Sequence, residues 1–324
     1  MPSVKEFKSN AINQLKEYSP SPELDVQVLL QHTLKCDKTQ LLLFANNSIP
    51  DDKLKWLEDA VSKRKTGLPV AYITGIKEFF GFDFFVTPDV LIPKPDTEIL
   101  VERALELIEE YYESMGEQTS TPARPPRILD LCTGSGCIGL SVLKTLYTVH
   151  EIPAENLPEL TLTDISEAAL QIAKKNAAKL LPDQDIIKKI TFIHSDLFQN
   201  IEGEFDFILT NPPYIPSAMV DELLKDGRNE PRLALDGDAA SGVPESKPGV
   251  SEALEGHDGT LIIKKLIPQA CGHLAQNGTI LMETGEYNAQ ATALFAQDAG
   301  FKTSIHKDLE GQLRVVEMNS LQKN

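Results

Sequence analysis

The spacing of apolar residues predicts that the first part of the chain is helical. Apolar side chains recur at intervals of three and four in two early segments, which places them on one face of a helix. These residues are Leu24, Val28, Leu29 and Leu30 in the first segment and Leu54, Leu57 and Val61 in the second. We therefore predict a small helical domain over residues 1–72.

The pattern changes between residues 71 and 98, where aromatic and β-branched residues surround Gly75 and Gly81. Such a composition, interrupted by glycine, is typical of a β-hairpin. We predict a hairpin linker over residues 73–94, followed from Pro95 by an amphipathic helix.

Short apolar strands alternate with helical segments from Arg127 onward. The predicted strands are 127–131, 160–164, 190–193, 205–209, 279–283, 301–306 and 313–318. The predicted helices between them include SEAALQIAKKNAAKL and residues 259–274. Alternation of this kind predicts a mostly parallel sheet that is covered on both faces, here within a domain at residues 95–324.

The connections between strands predict further features of this sheet. Only the turn DLEGQ separates the last two strands, which is too short for a right-handed crossover, so we expect these strands to pair antiparallel. The strand at 205–209 should lie beside the strand at 127–131, on the other side from 160–164. The stretch at 238–257 is rich in Gly, Ser, Pro and Glu, which predicts a mobile loop.

Length and composition are those of an ordinary globular protein. A chain of 324 residues suits about two domains, and 41% hydrophobic with 24% charged residues is usual for this class. No apolar run is long enough to cross a bilayer, and the start MPSVKEFKSN lacks the apolar core of a signal peptide. We expect a cytoplasmic protein without membrane contact, with the mitochondrial matrix as the alternative.

Charge and cysteine content restrict the partners. The 31 Lys and Arg residues against 48 Asp and Glu give a net charge of −17, which opposes the phosphate neutralisation that nucleic-acid binding needs. We therefore predict no direct DNA binding. Cys36, Cys132, Cys137 and Cys271 form no CxxC pair and no zinc pattern, so we expect buried free thiols and no metal.

The segment DLCTGSGCIGL carries a GxGxxG array directly after a predicted strand. Gly134, Gly136 and Gly139 permit a tight turn and let backbone N–H groups approach a ligand, but they could also serve only strand-to-helix packing. Asp164, which ends the next strand, could accept both hydroxyls of a ribose or could cap the following helix near Ser166. These residues leave a nicotinamide dinucleotide and S-adenosylmethionine open as cofactors.

The segment HSDLF follows the third strand, at the place where such sheets usually contact adenine. Leu197 and Phe198 could press on the face of the ring, although residues of these types are as often loop and core. Asp196 and Leu197 are therefore candidates for cofactor binding.

The stretch NPPY at residues 211–214 favours S-adenosylmethionine. Pro212 and Pro213 have no N–H to donate and fixed φ angles, so backbone carbonyls can point into a cleft at little entropic cost. Asn211 adds a side-chain acceptor, and Tyr214 can stack on a planar group. Such a site grips a planar NH2 group and aims its nitrogen at a methyl sulfonium. The candidate substrate-binding residues are Asn211, Pro212, Pro213 and Tyr214, of which Asn211, Pro212 and Tyr214 are candidate catalytic residues.

These motifs resemble those of the HemK/PrmC family, protein-glutamine methyltransferases that modify the glutamine of the Gly-Gly-Gln loop in class 1 peptide chain release factors. The resemblance covers nearly the whole chain. It is carried by EFFGFDFFV, VLIPKPDTEILVE, DLCTGSGCIGL, TDIS, SDLF, NPPYIP, EPRLALDGD and KDLEGQLRVVEM.

The resemblance implies an α/β, class I S-adenosylmethionine-dependent methyltransferase fold. Its Rossmann-like seven-stranded sheet has an antiparallel last strand and is joined to a small N-terminal helical domain that contacts the release factor. It implies S-adenosylmethionine as methyl donor and a glutamine held at residues 211–214. The implied cofactor contacts are Cys132, Thr133, Gly134, Ser135, Gly136, Asp164, Leu197 and Asn211.

The chain departs from the family pattern at a few places. Lys94, Asp96 and Cys132 stand where Arg, Glu and Gly are usual. METGEYN stands in place of a Glu-Ile-Gly segment, and the loop at 238–257 is longer than usual.

Other functions remain open on the residues alone. NPPY also occurs in enzymes that methylate the exocyclic amine of adenine (N6) or guanine (N2), since those are planar NH2 groups as well. A nicotinamide oxidoreductase would need a hydride-transfer partner such as His or Lys near the fourth strand, and none is evident. A non-catalytic binding module is the third alternative, which the intact Asn211 and glycines disfavour.

Overall fold

The computed structural model describes residues 1–116, 124–239 and 258–320 of the chain. The stretch at 238–257, interpreted above as a mobile loop, lies outside the described residues from position 240 onward. The helices are α1 (Val4–Leu15), α2 (Pro22–Leu34), α3 (Lys38–Leu43), α4 (Asp51–Arg64), α5 (Val70–Thr74), α6 (Glu98–Gly116), α7 (Cys137–Thr148), α8 (Glu167–Leu180), α9 (Gln184–Ile187), α10 (Ser217–Leu223), α11 (Leu261–Ala270) and α12 (Ala289–Asp298).

The strands of the described chain form a two-stranded hairpin and a seven-stranded sheet. They are β1 (Ile76–Phe79), β2 (Phe82–Phe85), β3 (Arg127–Leu131), β4 (Glu159–Asp164), β5 (Ile190–His194), β6 (Phe205–Thr210), β7 (Leu274–Glu283), β8 (Phe301–Lys307) and β9 (Leu313–Ser320). The predicted hairpin is present. Its turn residues, Phe80 and Gly81, both have positive φ, as a tight two-residue turn requires.

Contacts divide the chain into two compact units. One comprises Met1–Ile76 together with Glu222–Asn229, and the other comprises Lys77–Asp221 together with Glu230–Asn324. The domain boundaries after residues 72 and 94 stay a prediction.

The first unit is a helical core built by α1, α2, α4 and their neighbours. On α2 the buried residues are Val26, Leu29 and Leu30. Leu24 and Val28, which the spacing placed on the same helix face as Leu29 and Leu30, lie outside this core, because they are 57% and 37% exposed. The helix begins at Pro22, and the inward stripe runs from Val26 at intervals of three and four.

The sheet of the second unit has the strand order β5-β4-β3-β6-β7-β9-β8. Strands β3 to β7 pair in parallel, whereas β9 pairs antiparallel with both β7 and β8. Both predictions about this sheet are therefore confirmed: β6 lies beside β3 on the side away from β4, and the last two strands are antiparallel. The order reverses at β3, and parallel sheets bind ligands at the carboxyl ends of their strands beside such a point.

Side chains of the central strands alternate between two hydrophobic cores. Ile128 of β3 packs in one core with α6 and α7, whereas Leu129 and Leu131 pack in the other with α11 and α12. Since successive side chains of a strand point to opposite faces, both faces of the sheet are buried. This explains why the strands read as continuous apolar runs.

One predicted helix is too long. α11 ends at Ala270, and residues up to 274 do not continue it as predicted. Instead Leu274 pairs with Phe205 and begins β7, five residues before the predicted strand at 279–283. Residues 271–273 form a turn, and sheet pairing takes only Leu274 from the predicted helix. None of the helices that the structure describes is long and apolar enough to cross a membrane.

Candidate active site

The ends of three neighbouring strands lie at the same level of the sheet. Leu131 of β3 pairs with Thr163 of β4 on one side and with Thr210 of β6 on the other. The residues that follow these three are Cys132, Asp164 and Asn211. Three separate sequence motifs therefore begin side by side at one edge.

A cavity of about 360 Å³ opens at this edge. Among the residues that line it are most of the predicted cofactor contacts, namely Cys132, Thr133, Gly134, Ser135, Asp164, Asp196, Leu197 and Asn211. Gly136 does not line it. Of the remaining NPPY residues Pro213 lines the cavity, whereas Pro212 and Tyr214 do not.

The glycines between β3 and α7 have separate roles. Gly134 has a φ of +54°, and a Cβ added to it would meet nothing within 4 Å, so the backbone is open at this point. Gly136, the N-cap of α7, has a φ of +81°, and an added Cβ would lie 2.8 Å from Cδ1 of Leu140. A Cβ on Gly139 would lie 3.0 Å from Oδ2 of Asp130. Packing therefore accounts for Gly136 and Gly139, but not for Gly134.

Asp130 of β3, which sequence reasoning missed, hydrogen bonds to this loop and to the first turn of α7. Its Oδ2 accepts hydrogen bonds from the Thr133 hydroxyl at 2.7 Å and from the Gly139 N–H at 2.9 Å. Complete burial raises the pKa of its carboxyl to about 7, although both bonds favour the charged form. The signal available in the sequence was an acidic residue inside the buried strand RILDL.

Asp164 connects the loop to the end of β4. Its Oδ2 accepts the N–H of Gly134 at 2.9 Å, and its Oδ1 accepts the N–H of Ser166 at 2.8 Å. Burial raises the pKa of this carboxyl, and the backbone N–H groups oppose the rise. The N-cap of α8 is Ser166, whose hydroxyl accepts from Ala169, so Asp164 is not the helix cap that sequence left as an alternative.

Leu197 and Phe198 point in different directions. Leu197 lines the cavity with a φ of +47°, whereas Phe198 is buried in the core and stacks on His273, with ring centroids 4.9 Å apart. The prediction that Phe198 presses on a ligand ring is therefore wrong. The left-handed backbone at Leu197 turns the next side chain away from the cavity.

Two non-glycine residues on the cavity wall have left-handed backbones, Leu197 and Cys132, whose φ is +59°. Such a conformation costs an L-residue about 1–2 kcal/mol. Strain of this kind concentrates at sites where the surrounding structure imposes a fixed geometry.

None of the four cysteines, all of which lie in the described part of the chain, forms a disulfide, but their exposure differs. Burial raises the pKa of the Cys132 thiol well above its usual range and that of Cys137 to about 12. Both thiols are therefore neutral at physiological pH. Cys271 is exposed and the other three are only partly buried, so the expectation of four buried thiols is wrong.

The NPPY corner is held at both ends by side-chain hydrogen bonds. Nδ2 of Asn211 donates to Oγ1 of Thr97 at 3.4 Å, which leaves Oδ1 as the acceptor of this side chain. The Tyr214 hydroxyl donates to Oε1 of Glu283 at 3.2 Å. Thr97 lines the cavity, and Glu283, at the end of β7, is buried behind it.

Glu283 was missed by sequence reasoning, although METGEYN had been noted as a departure from the family pattern. Burial raises the pKa of its carboxyl to about 7. The positive charge of Arg314 and the hydrogen bond from Tyr214 oppose this rise. The group therefore sits near the middle of its titration at neutral pH.

Two glycines pack against the backbone of Tyr214. A Cβ on Gly237 would lie 2.8 Å from Cα of Tyr214 and 2.1 Å from the carbonyl oxygen of Gly259. A Cβ on Gly259 would lie 2.1 Å from the carbonyl oxygen of Tyr214. Oδ1 of Asp238 accepts the N–H of Gly259 at 2.9 Å, which joins the chain on either side of residues 240–257.

An ion pair connects Lys94, which lines the cavity, with Glu230, which precedes the lining residue Pro231. Nζ of Lys94 lies 2.6 Å from Oε1 of Glu230, and the Glu230 side chain is almost fully buried. Lys94, which stands where Arg is usual in the family, therefore has an ionic partner.

Family models and curated relatives of this chain point to the same family of methyltransferases. Residues 7–75 match the family model described as the PrmC N-terminal domain, and residues 117–229 match the one described as the methyltransferase small domain. A release factor glutamine methyltransferase of Koribacter versatilis is 34% identical over 321 residues, which are 97% of each chain. One of Leptospira interrogans is 35% identical over 305 residues, covering 93% of this chain and 92% of the relative.

Among solved structures, a methyltransferase from Pyrococcus furiosus aligns with a TM-score of 0.46 at 14% identity, covering 84% of this chain and 100% of that one. The family assignment depends on the sequence relatives and on the strand order. By identity and coverage with those relatives, the chain belongs to the release factor glutamine methyltransferase family and has its class I S-adenosylmethionine-dependent methyltransferase fold.

Proposed function

We propose that this chain transfers the methyl group of S-adenosylmethionine to the side-chain amide nitrogen of the glutamine in the Gly-Gly-Gln motif of class 1 peptide chain release factors. The observation that carries the proposal is that the glycine loop with Asp164 and the pair Asn211 and Pro213 line one cavity. A methyl donor and its acceptor can therefore meet there. The two relatives described above carry the name of this activity.

The wall of the cavity fits S-adenosylmethionine. Gly134 leaves its backbone open, Asp164 offers carboxylate oxygens to ribose hydroxyls, and Leu197 offers an apolar surface to a ring. The volume of about 360 Å³ lies within the range of roughly 300–1,000 Å³ usual for ligand sites. When bound, S-adenosylmethionine supplies an electrophilic methyl group on a sulfonium.

Asn211 and the diproline segment hold the glutamine amide. An amide nitrogen is a poor nucleophile because its lone pair is delocalised. Oδ1 of Asn211 and a neighbouring backbone carbonyl accept hydrogen bonds from the two N–H groups of the amide, which aims the nitrogen and favours positive charge on it as the new bond forms. One of these two protons is then lost to solvent, so that the methylated amide is neutral. Pro213 adds a rigid apolar wall that excludes water from the acceptor.

Pro212 and Tyr214 act from behind the wall, since neither lines the cavity. Pro212 is buried and fixes the backbone that follows Asn211. Tyr214 anchors the other end of the corner through its hydroxyl on Glu283. We therefore assign both to the shape of the site.

Nucleic-acid methylation is not favoured. The relatives are named for a protein substrate. The net charge of −17 also opposes the approach of a polyanion.

The N-terminal helical unit is the proposed docking element for the release factor. Its residues 7–75 match a family model of its own, so it is a regular part of these enzymes. We further propose that the protein acts in the cytoplasm, where peptide chain release takes place.

Transfer of a tritiated methyl group tests the proposal. Purified enzyme is incubated with labelled S-adenosylmethionine and either a class 1 release factor, the same factor with its motif glutamine replaced by asparagine, ribosomal RNA or duplex DNA. We expect label only in the factor that carries glutamine. Label in RNA or DNA with none in the release factor would refute the proposed substrate.

Calorimetry tests which cofactor the protein binds. We expect S-adenosylhomocysteine to bind and NADH not to bind. Binding of NADH without S-adenosylhomocysteine would support an oxidoreductase instead. Binding of S-adenosylhomocysteine with no transfer to any acceptor would indicate a non-catalytic module.

A further inference from the structure

The peptide that joins Tyr214 to Ile215, at the end of the NPPY corner, is held by hydrogen bonds on both sides. The Tyr214 carbonyl accepts hydrogen bonds from Nδ2 of Asn288 at 3.1 Å and from the hydroxyl of Tyr287 at 3.2 Å. The N–H of Ile215 donates to the carbonyl of Leu235 at 2.9 Å. A rotation of this peptide would therefore break three hydrogen bonds at once.

The carbonyl oxygen of Tyr214 has no capacity left for a substrate. A carbonyl oxygen has two lone pairs, and Asn288 and Tyr287 use both of them. Gly259 packs against the same oxygen so closely that a Cβ on this glycine would lie 2.1 Å from it. The backbone carbonyl that accepts from the substrate amide therefore belongs to one of residues 211–213.

The segment from Asn211 to Tyr214 transmits this restraint to the cavity wall because it is stiff. Pro212 and Pro213 have φ angles fixed by their rings, and each proline restricts the residue before it to extended conformations. Few dihedral angles are thus free between the end of β6 and the restrained peptide. Asn211 and Pro213, which line the cavity, are therefore positioned from both ends of the segment.

Asn288 forgoes a local hydrogen bond and instead contacts Tyr214. It is the N-cap of α12, where an asparagine side chain usually accepts from the first turn of the helix, yet its side chain makes no such bond. Because the Tyr214 carbonyl can only accept, the side chain presents Nδ2 to it. Oδ1 is then buried with no hydrogen-bond partner in the part of the chain that the structure describes, which lowers stability. The contact with Tyr214 accounts for this orientation.

Tyr287 reaches the same carbonyl oxygen from the surface. Its side chain is half-exposed, and its ring lies across Gly285, where an added Cβ would be 2.7 Å from Cε1 of the ring. Gly285 thus leaves room for the ring that brings the hydroxyl to Tyr214. Tyr287 and Asn288 both belong to METGEYN, and sequence reasoning gave neither of them a role.

We propose that Asn288 and Tyr287 are positioning residues for methyl transfer. By fixing the peptide after Tyr214, they hold Asn211 and Pro213 in place for the glutamine amide. This inference rests on the function proposed above. Loss of either side-chain contact should lower the rate of transfer and leave the binding of the methyl donor unchanged, because neither Asn288 nor Tyr287 lines the cavity.

Two conservative variants each remove one hydrogen bond. Y287F lacks the hydroxyl and keeps the ring, so it should lower kcat about 3- to 10-fold, the effect of one exposed hydrogen bond. In N288S the serine is as favourable at an N-cap as asparagine, but its hydroxyl ends one bond short of the position of Nδ2. We expect N288S to lower kcat about 10- to 100-fold, because small displacements of a reacting group have effects of this size.

The double variant Y287F/N288S shows whether the two side chains act on one peptide. Each donor can hold the Tyr214 carbonyl while the other is missing, so the peptide is free to rotate only when both are gone. The loss of kcat in the double variant should therefore exceed the product of the two single losses. Losses that only multiply would mean that the two residues act independently.

Two control variants make matching changes away from the NPPY corner. Y112F removes a tyrosine hydroxyl that donates to the backbone carbonyl of Asn156 at 2.7 Å, so it breaks a bond of the same kind as Y287F. T292V removes a buried hydroxyl from α12 that has no hydrogen-bond partner among the residues that the structure describes. Both controls should keep the parental kcat.

Transfer of a tritiated methyl group to release factor measures kcat, and titration calorimetry with S-adenosylhomocysteine measures the affinity for the donor. We expect kcat to fall in Y287F, N288S and the double variant while this affinity stays the same. If Asn288 only started α12, N288S would keep the parental kcat, because serine serves as well at an N-cap.

Four results would overturn the inference: parental kcat in N288S or in the double variant, equal losses of kcat and donor affinity, losses that only multiply, or controls as slow as the variants. If N288S does not fold, Y287F against Y112F decides, and equal rates in these two overturn the inference. No transfer by the parent enzyme would refute the proposed function together with this inference, whereas an active parent with an equally active double variant would refute the inference alone.

Discussion

Oδ2 of Asp164 accepts the backbone N–H of Gly134 across 2.9 Å, so the end of one strand holds the glycine loop that follows its neighbour. The same carboxylate lines the cavity. Asp164 therefore fixes the loop, and under the proposed function it also offers oxygens to the ribose.

Asp164→Ala should weaken the binding of S-adenosylhomocysteine by tenfold or more, since hydrogen bonds to a charged group contribute about 1.5–3 kcal/mol. Asp164→Asn, which keeps one acceptor oxygen, should lose less. Titration calorimetry on both variants gives the comparison. Unchanged affinity in the alanine variant would rule out contact between Asp164 and the ribose.

Asn211→Ala should lower the rate of transfer much more than the affinity for the methyl donor. We expect kcat for transfer to release factor to fall about 100-fold or more, because the acceptor of the substrate amide is lost, while donor affinity changes little. Steady-state kinetics together with calorimetry separate the two effects. Equal losses in both would mean that Asn211 only maintains the fold of the cavity.

Gly237→Ala should destabilise the protein by about 1–3 kcal/mol, the usual cost of forcing a methyl group into a packed interior. The added Cβ would lie 2.1 Å from the carbonyl oxygen of Gly259, and backbone atoms there cannot rotate aside. Gly272→Ala is the control, because its Cβ would meet only the carbonyl oxygen of Gln269 at 3.6 Å. Urea unfolding of both variants measures the difference, and equal midpoints would contradict the packing described here.

Stability should depend on pH through Glu283. Its pKa is raised from 4.5 to about 7 on folding, so its protonated form stabilises the fold fully below pH 4.5, and this stabilisation is lost as the pH rises to about 7. E283Q should therefore be more stable than the parent at pH 8, by on the order of 3 kcal/mol, and the gap should narrow toward pH 5. Urea unfolding at the two pH values measures it. If the difference in stability between E283Q and the parent were larger at pH 5 than at pH 8, the prediction would be wrong.

If E283Q is more stable than the parent but transfers methyl more slowly, then the buried carboxylate of Glu283 lowers stability while it serves activity. Proteins often retain such groups where activity requires them. Asp130, whose pKa is also raised to about 7, contributes to stability with the same sign, so D130N is a second test of the pH window.

Local pattern was enough to predict the strands and the residues that follow them. RILDL reads as a strand because its residues are buried on both faces, and Asp164 and Asn211 were found because each ends such a run. These features depend on neighbours in sequence.

Thr97 and Glu283 could not be found in this way, because each contacts residues remote in sequence. Asn211 and Thr97 are 114 residues apart, and Tyr214 and Glu283 are 69 apart. Asp130 was missed although its partners Thr133 and Gly139 are near it in sequence. Phe198 was placed wrongly for another reason. Period and composition do not reveal the left-handed backbone at Leu197 that turns the next ring into the core.

The hydrogen bond between Asp238 and Gly259 also bears on how this family can diversify. Closing a stretch of chain costs a free energy that rises only with the logarithm of its length, about 0.6 kcal/mol for each doubling. Where both ends are already pinned, residues can be inserted or removed by mutation with little effect on the rest of the fold. Evolution can therefore vary the length of this stretch beside the NPPY corner without rebuilding the residues that line the cavity.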